Sequence, residues 1–453
     1  MAPPDIVAPP DIVAPSDIVG PSDIVGPPDG VVPPDIVGPP DRVAPPDGVV
    51  PPDGVVPPDI VVRPSPTTVV AGGTVRRGGS SDASDGRRGT MTASVAHGGI
   101  RRAPKALLHD HLDGGLRPAT VIELAAQRGY RDLPSTDLVE LSEWFRAGAD
   151  RKDLPLYLET FTHTLAVMQS PDELERVATE AVVDLASDGV VYAELRYAPE
   201  QHQRDGLTID EVVAAVERGL TRGCQQVAGN GQRIVVSQIL CAMRQLDRSR
   251  DIAEAAVRLR DQGHGVVGFD LAGPEVGFPA RDHQAALQHV RDAGLPLTLH
   301  ASESLDLVAE ALAFGADRIG HGVRLGDELV RAPDGSMGLG EVGARIRDAG
   351  TVIEVCPSSH VHIGAVKDLR AHPIDALHRA GVPVTIDTDN RLMSGVSATS
   401  EQAAIATTFG WEWSDLERVT RTAIEGGFAD RDERRRLVDE VVAPAYAALA
   451  DRD

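Results

Sequence analysis

The chain has 453 residues, 42% of them hydrophobic, and a formal net charge of −24. That acidity excludes a general nucleic-acid surface, which needs clustered Lys and Arg, and fits a small-molecule partner. No run of about 18 apolar residues is present, so no membrane span is expected. Cys224, Cys241 and Cys356 are widely spaced and form neither a disulfide framework nor a zinc-ribbon pattern. With an N-terminus unlike a signal peptide, they point to a reducing cytoplasm.

Residues 2–61 are ten near-copies of one hexapeptide, from Ala-Pro-Pro-Asp-Ile-Val at 2–7 to Val-Pro-Pro-Asp-Ile-Val at 56–61. Proline removes a backbone donor and fixes φ, which excludes helix and central strand. Each copy carries too few aliphatic residues to bury a core, so residues 1–62 are expected to be a disordered, polyproline-like tract. Residues 63–104 continue as a disordered linker rich in Gly, Ser, Thr and arginine pairs. Met91, inside that linker, is the expected natural start of synthesis.

From residue 105 to 453 the pattern changes to short apolar runs alternating with amphipathic segments. Eight runs rich in Val, Ile or Leu read as buried parallel strands: 106–112, 190–198, 234–242, 265–271, 296–300, 318–321, 351–356 and 383–388. Helical patterns lie between them at Ser170–Ser187, Thr208–Val227, Ser249–Gln262, Ala280–Ala293, Leu305–Phe314, Glu341–Ala349 and Asp368–Arg379. Strand then helix, eight times over, predicts an α/β fold, the (β/α)8 TIM barrel. The first interval is too long for one crossover. Its segments Thr120–Arg128, Asp137–Ala147 and Leu156–Met168 read as a helical insertion over the barrel mouth. Extra C-terminal helices follow: Ser397–Phe409, one opened by a capping box Ser414-x-x-Glu417, and a charged helix from Arg431.

In such barrels the active site lies at the C-terminal ends of the strands. The first run ends in His109, His111 and Asp113, and side chains two apart on a strand share a face. The fourth ends Asp270-Leu271-Ala272-Gly273, the fifth His300-Ala301-Ser302-Glu303, the sixth Gly320-His321-Gly322 and the eighth Asp387-Thr388-Asp389-Asn390. Three histidines and a carboxylate converging from the first, fifth and eighth strands make a reasonable zinc set. Glu303 and His321 then remain free for proton transfer. His360 and His362, beyond the seventh strand, read as ordinary exposed histidines.

The series His-x-His-Leu-Asp-Gly, Asp-Leu-Ala-Gly, His-Ala-x-Glu, Gly-His-Gly and Thr-Asp, in this order, resembles the adenosine deaminase family of metal-dependent amidohydrolases. The resemblance covers residues 105 to 450. It implies one Zn²⁺ held by His109, His111, His300 and Asp389. Glu303 would protonate purine N1, with its pKa raised in a dry pocket. His321 would take the proton of the attacking water and hold the hydroxide. His111, Asp113, Gly273 and Asn390 would contact the substrate, Asp113 at the ribose 5′-hydroxyl and the Gly273 amide at N3. The implied activity is zinc-dependent deamination of adenosine and 2′-deoxyadenosine, a purine-salvage hydrolase reaction giving inosine and ammonia from adenosine.

Departures from the family pattern fall beside the ligands. Asn390 replaces a second aspartate, and its amide is still a donor that never needs protonation. Ser302 replaces a glycine, His360 an asparagine, and Asp387 also differs. These bear on substrate preference and rate more than on reaction type. The alternatives are a related zinc aminohydrolase acting on adenine or a modified adenosine, and a non-catalytic barrel protein. A charged Asp113 would disfavour a 5′-phosphate.

Overall fold

The computed structural model describes residues 97–331, 333 and 337–451. The hexapeptide tract, the linker up to residue 96 and the expected start at Met91 lie outside the described residues. The barrel strands are β1 (Lys105–His111), β2 (Val190–Tyr197), β3 (Val235–Met243) and β4 (Val266–Ala272) in one parallel sheet. The strands β5 (Thr298–Ala301), β6 (Arg318–His321), β7 (Val352–Val355) and β8 (Val384–Ile386) form the other. Single parallel bridges, Phe269 with Leu297 and Asp110 with Asp389, join β4 to β5 and β8 to β1. The ring closes as the expected (β/α)8 barrel.

At the β8–β1 seam a side chain substitutes for ladder rungs. The Asp387 carboxylate accepts from the amides of Leu108 (2.6 Å) and His109 (3.1 Å), which places the end of β8 beside His109. Around the ring, helices Pro171–Ser187 and Ile209–Gly229 both open with capping boxes, Ser170 with Glu173 and Thr208 with Glu211. They pack closely because Gly219 has no side chain; a Cβ there would sit 2.4 Å from the Glu175 carbonyl. Among the described residues, no helix is long and apolar enough to cross a membrane.

Four expectations change in detail. The linker does not run to 104: residues His97–Arg102 are helical, with Ile100 and Ala103 buried. Its carbonyls find a donor that composition does not reveal, since Lys105 Nζ donates to Ile100 O and Ala103 O, each at 2.8 Å. The pattern at 368–379 is a short 3-10 turn, Leu369–Ala371, and a helix Ile374–Arg379, because Pro373 between them lacks the amide a continuous helix needs. The 156–168 segment is two helices, Leu154–Leu158 and Phe161–Ala166. The helix expected to start at Ser414 starts at Trp413, and its box is Glu412 with Asp415, whose Oδ2 accepts from the Glu412 amide at 3.0 Å.

The barrel interior carries charge where aliphatic layers are usual. Arg196, Asp270, Glu194 and Glu354 are fully buried, and Arg318 nearly so. Arg196 donates to Asp270 Oδ2 (2.8 Å), Glu354 Oε2 (2.7 Å) and the Leu108 carbonyl (2.6 Å). Arg318 reaches Glu354 Oε1 at 2.6 Å and Glu194 Oε2 at 2.7 Å, and its guanidinium lies 3.5 Å from the centre of the Phe428 ring. Removing one member leaves buried charges uncompensated, which typically costs 3–5 kcal/mol. Arg196→Met is therefore expected to lose about 3–5 kcal/mol in equilibrium urea unfolding; a loss below about 1 kcal/mol would show that this network does not carry the barrel.

Candidate metal and active site

The strand ends bring together the residues that the sequence singled out. His109 and His111 leave β1, His300 lies on β5, His321 ends β6, and Asp389 follows β8. His111 Nε2 stands 3.3 Å from His300 Nε2 and 3.5 Å from Asp389 Oδ1, and His109 Nε2 stands 3.6 Å from the same oxygen. Ligand atoms on a tetrahedral ion with bonds of about 2.05 Å are spaced about 3.3 Å apart, so this set has the separations an ion needs. His109 Nε2 is buried and has no hydrogen-bond partner, as expected of a lone pair kept for a metal. The residues present fit the group.

The outer partners decide which nitrogen faces inward. His109 Nδ1 lies 2.9 Å from Glu354 Oε2, and His300 Nδ1 lies 2.9 Å from Asp270 Oδ2. Glu354 takes the His109 Nδ1 proton and leaves an Nε2 lone pair aimed at the centre, and Asp270 stands beside His300 Nδ1 at ion-pair distance. Asp389 Oδ2 accepts from Ser359 Oγ at 2.5 Å. Burial alone would raise the Asp389 carboxyl, but the surrounding histidines, His109 foremost, hold it well below the usual range. A second group, His109 with His321 and Cys356, also lies close enough for an ion. Burial pushes the Cys356 thiol well up, against the thiolate a ligand requires, so the three-histidine set is preferred.

A cavity of about 220 Å³ opens over these residues, room for a small molecule and not for a polymer. Leu154, Leu158, Phe161 and Leu165 of the inserted helices form one wall, so the insertion does sit over the mouth. His111, Asp113, Gly273, His300, His321, Asp389 and Asn390 line it. Gly273 has φ +91°, and a Cβ there would meet Gln245 Oε1 at 2.5 Å, so glycine is required for its amide to be presented. Asn390 is buried with its Oδ1 unpartnered. Asp113 is buried in the turn after β1, and burial pushes its carboxyl up to about 7. It is then only partly charged at neutral pH, and repulsion of a 5′-phosphate is weaker than its residue type suggests.

Two expectations fail on geometry. Glu303 is half-buried and not among the cavity-lining residues; its Oε1 accepts from the Glu275 amide at 2.6 Å. The dry pocket expected for it is not there, because Glu275 occupies the buried position and accepts from the amides of Ser302 and Glu303. His360 is not exposed. It is fully buried, with Nε2 3.1 Å from His321 Nδ1. Asp387 is structural, as the seam shows. Sequence reasoning missed Glu354, Arg196 and Glu275. A signal existed for the first two: a charged residue inside an otherwise apolar strand has to find an ion partner inside the barrel.

The adenosine deaminase family profile matches residues 104–444. The adenosine deaminase of Mycobacterium marinum is 50% identical over 362 residues, 79% of this chain and 99% of that protein. That of Mycobacteroides abscessus is 49% identical over 362 residues, with the same 79% and 99% coverage. Among solved structures, a zinc-bound amidohydrolase from Burkholderia ambifaria superposes with a TM-score of 0.67 at 24% identity, over 81% of this chain and 96% of that one. That last likeness is one of fold. Asp270→Asn is expected to weaken metal binding about 10- to 100-fold, read by competition with a chelating dye on folded protein. An unchanged affinity would remove Asp270 from the task of orienting His300.

Proposed function

The chain belongs to the adenosine deaminase family, and we propose that it hydrolyses adenosine to inosine and ammonia, and 2′-deoxyadenosine likewise, with one zinc ion. The observation that carries this reading is the convergence of His109, His111 and His300 with Asp389 at the floor of an apolar-walled cavity. His109, His111, His300 and Asp389 would hold the ion. Bound there, zinc would lower the pKa of water towards roughly 7 and supply a nucleophile at neutral pH.

The chain's own residues do the rest. In the reaction the water oxygen adds to C6, the exocyclic nitrogen leaves as ammonia, and a C6 carbonyl remains. The ring accepts attack only once N1 gains a proton, which Glu303 would supply. Glu303 stands three residues after His300, tied by the Glu275 amide to the loop that begins at Gly273. That tether supports a carboxyl held beside Glu275 and Ser302, which line the cavity. The Gly273 amide would donate to N3, the Asn390 amide to N7, and Asp113 and His111 would meet the sugar. His321 would touch the reacting oxygen. Cys224, Cys241 and Cys356 are free thiols, which supports a cytoplasmic setting.

The test is the ultraviolet absorbance change of adenosine on conversion to inosine. Turnover is expected to vanish when the metal is chelated and to return with zinc. A folded, zinc-loaded protein inert towards adenosine would overturn the reading and turn attention to adenine or a modified adenosine. Glu303→Gln should keep its zinc and lose about 10²- to 10⁴-fold in kcat, the usual worth of a general acid. Retained turnover would take that role from Glu303.

A further inference from the structure

Behind the cavity, three imidazoles stand in line. His321 Nδ1 lies 3.1 Å from His360 Nε2, and His360 Nδ1 lies 2.8 Å from His372 Nε2. The last nitrogen, His372 Nδ1, accepts from the Ile374 backbone amide at 3.1 Å. The His360 and His372 rings are stacked, 5.1 Å apart and 16° from parallel. We propose that His360 and His372 are positioning residues that fix the tautomer of His321, so that His321 meets the reacting oxygen as an Nε2–H donor.

A peptide N–H can only donate. Facing Ile374, His372 Nδ1 must therefore carry a lone pair, and the proton of the neutral ring sits on Nε2. That N–H donates to His360 Nδ1, which places the His360 proton on Nε2. His360 Nε2–H donates in turn to His321 Nδ1. The His321 proton is left on Nε2, the nitrogen free to face the cavity that His321 lines. The opposite order would set an N–H of His372 against the N–H of Ile374, with no water able to separate two buried donors. Burial also favours neutral rings behind the cavity; the His372 imidazole is pushed down to about 3, and that of His360 well below its usual value.

This polarity has a chemical consequence. A ring already protonated on Nε2 cannot take a second proton there, and its Nδ1 is blocked by the His360 N–H. The role of proton acceptor that the family resemblance gives to His321 is replaced by that of donor, holding the oxygen in position. At position 360 asparagine, the residue expected from the resemblance, can supply the same N–H from its amide. The inference rests on the deaminase reading only for the identity of the oxygen; the tautomer does not depend on it.

The test is a proton–nitrogen multiple-bond spectrum of the full chain, zinc-loaded and labelled with ¹⁵N-histidine, with signals assigned by single-histidine variants. His321, His360 and His372 are each expected as the neutral Nε2–H form. His321 found as Nδ1–H or as a cation overturns the proposal. In His360→Leu, and in His372→Phe, which keeps a stacked ring, the His321 signals should show both tautomers. In His360→Leu kcat should also fall about tenfold to a hundredfold, short of the full loss of an active-site donor, with KM little changed. His360→Asn should restore both the spectrum and kcat. An unshifted His321 in His360→Leu and His372→Phe alike would overturn the role of the array. The spectrum is read without substrate, so an Nε2–H signal from a protein inert to adenosine would sink the deaminase reading alone.

Discussion

Glu354 is completely buried and accepts four hydrogen bonds. Its Oε2 takes Arg196 (2.7 Å) and His109 Nδ1 (2.9 Å), and its Oε1 takes Arg318 (2.6 Å) and Thr298 (3.1 Å). Burial alone would raise this carboxyl, but the two guanidinium charges and the His109 hydrogen bond hold it well below the usual range. Five strands meet there: β1, β2, β5, β6 and β7. Arg196 extends the network through Asp270 to His300. The orientation of two proposed metal ligands is thus set by the same charges that fill the barrel, and a site built on such a network cannot be loosened without loosening the fold.

The upper rim adds a geometric constraint. His321 and Asp389 adopt positive φ, +68° and +55°, although neither is glycine. Such backbone costs about 1–3 kcal/mol and persists where surrounding contacts over-determine it. Here they do. The Asp389 amide donates to the His109 carbonyl at 2.9 Å, and the His111 amide donates to the Asp389 carbonyl at 2.7 Å, so the turn that aims the Asp389 carboxylate also closes the barrel. These hydrogen bonds from β1 keep Asp389 where the strand would otherwise have relaxed.

Above this rigid floor the chain is built differently. The inserted helices Leu154–Leu158 and Phe161–Ala166 face the cavity with apolar side chains, while the strand ends supply the polar ones. An apolar roof over a polar floor excludes water from the reacting atoms and strengthens every electrostatic contact among them. Glu303 sits at the junction, half-buried and tethered to the Glu275 amide.

Much of this was legible in the linear order of residues. Eight apolar runs separated by amphipathic segments admit few closed arrangements, and right-handed crossovers reduce those to the barrel. His109 and His111, two apart on a strand, share a face whatever surrounds them, and strand endings in His300, His321 and Asp389 converge in any such barrel. What the order of residues could not express is which partner a buried group finds. Glu354 and Arg196 read as irregularities in apolar strands until the barrel closes and sets Arg196 between Glu354 and Asp270. His360 reads as an exposed loop histidine until burial and His372 turn it into one member of a hydrogen-bonded line. Strand periodicity is a local property, repeated every two residues, and so survives in sequence. Hydrogen-bond polarity, charge pairing and desolvation depend on groups tens to hundreds of residues away, and only tertiary packing brings them within hydrogen-bonding distance.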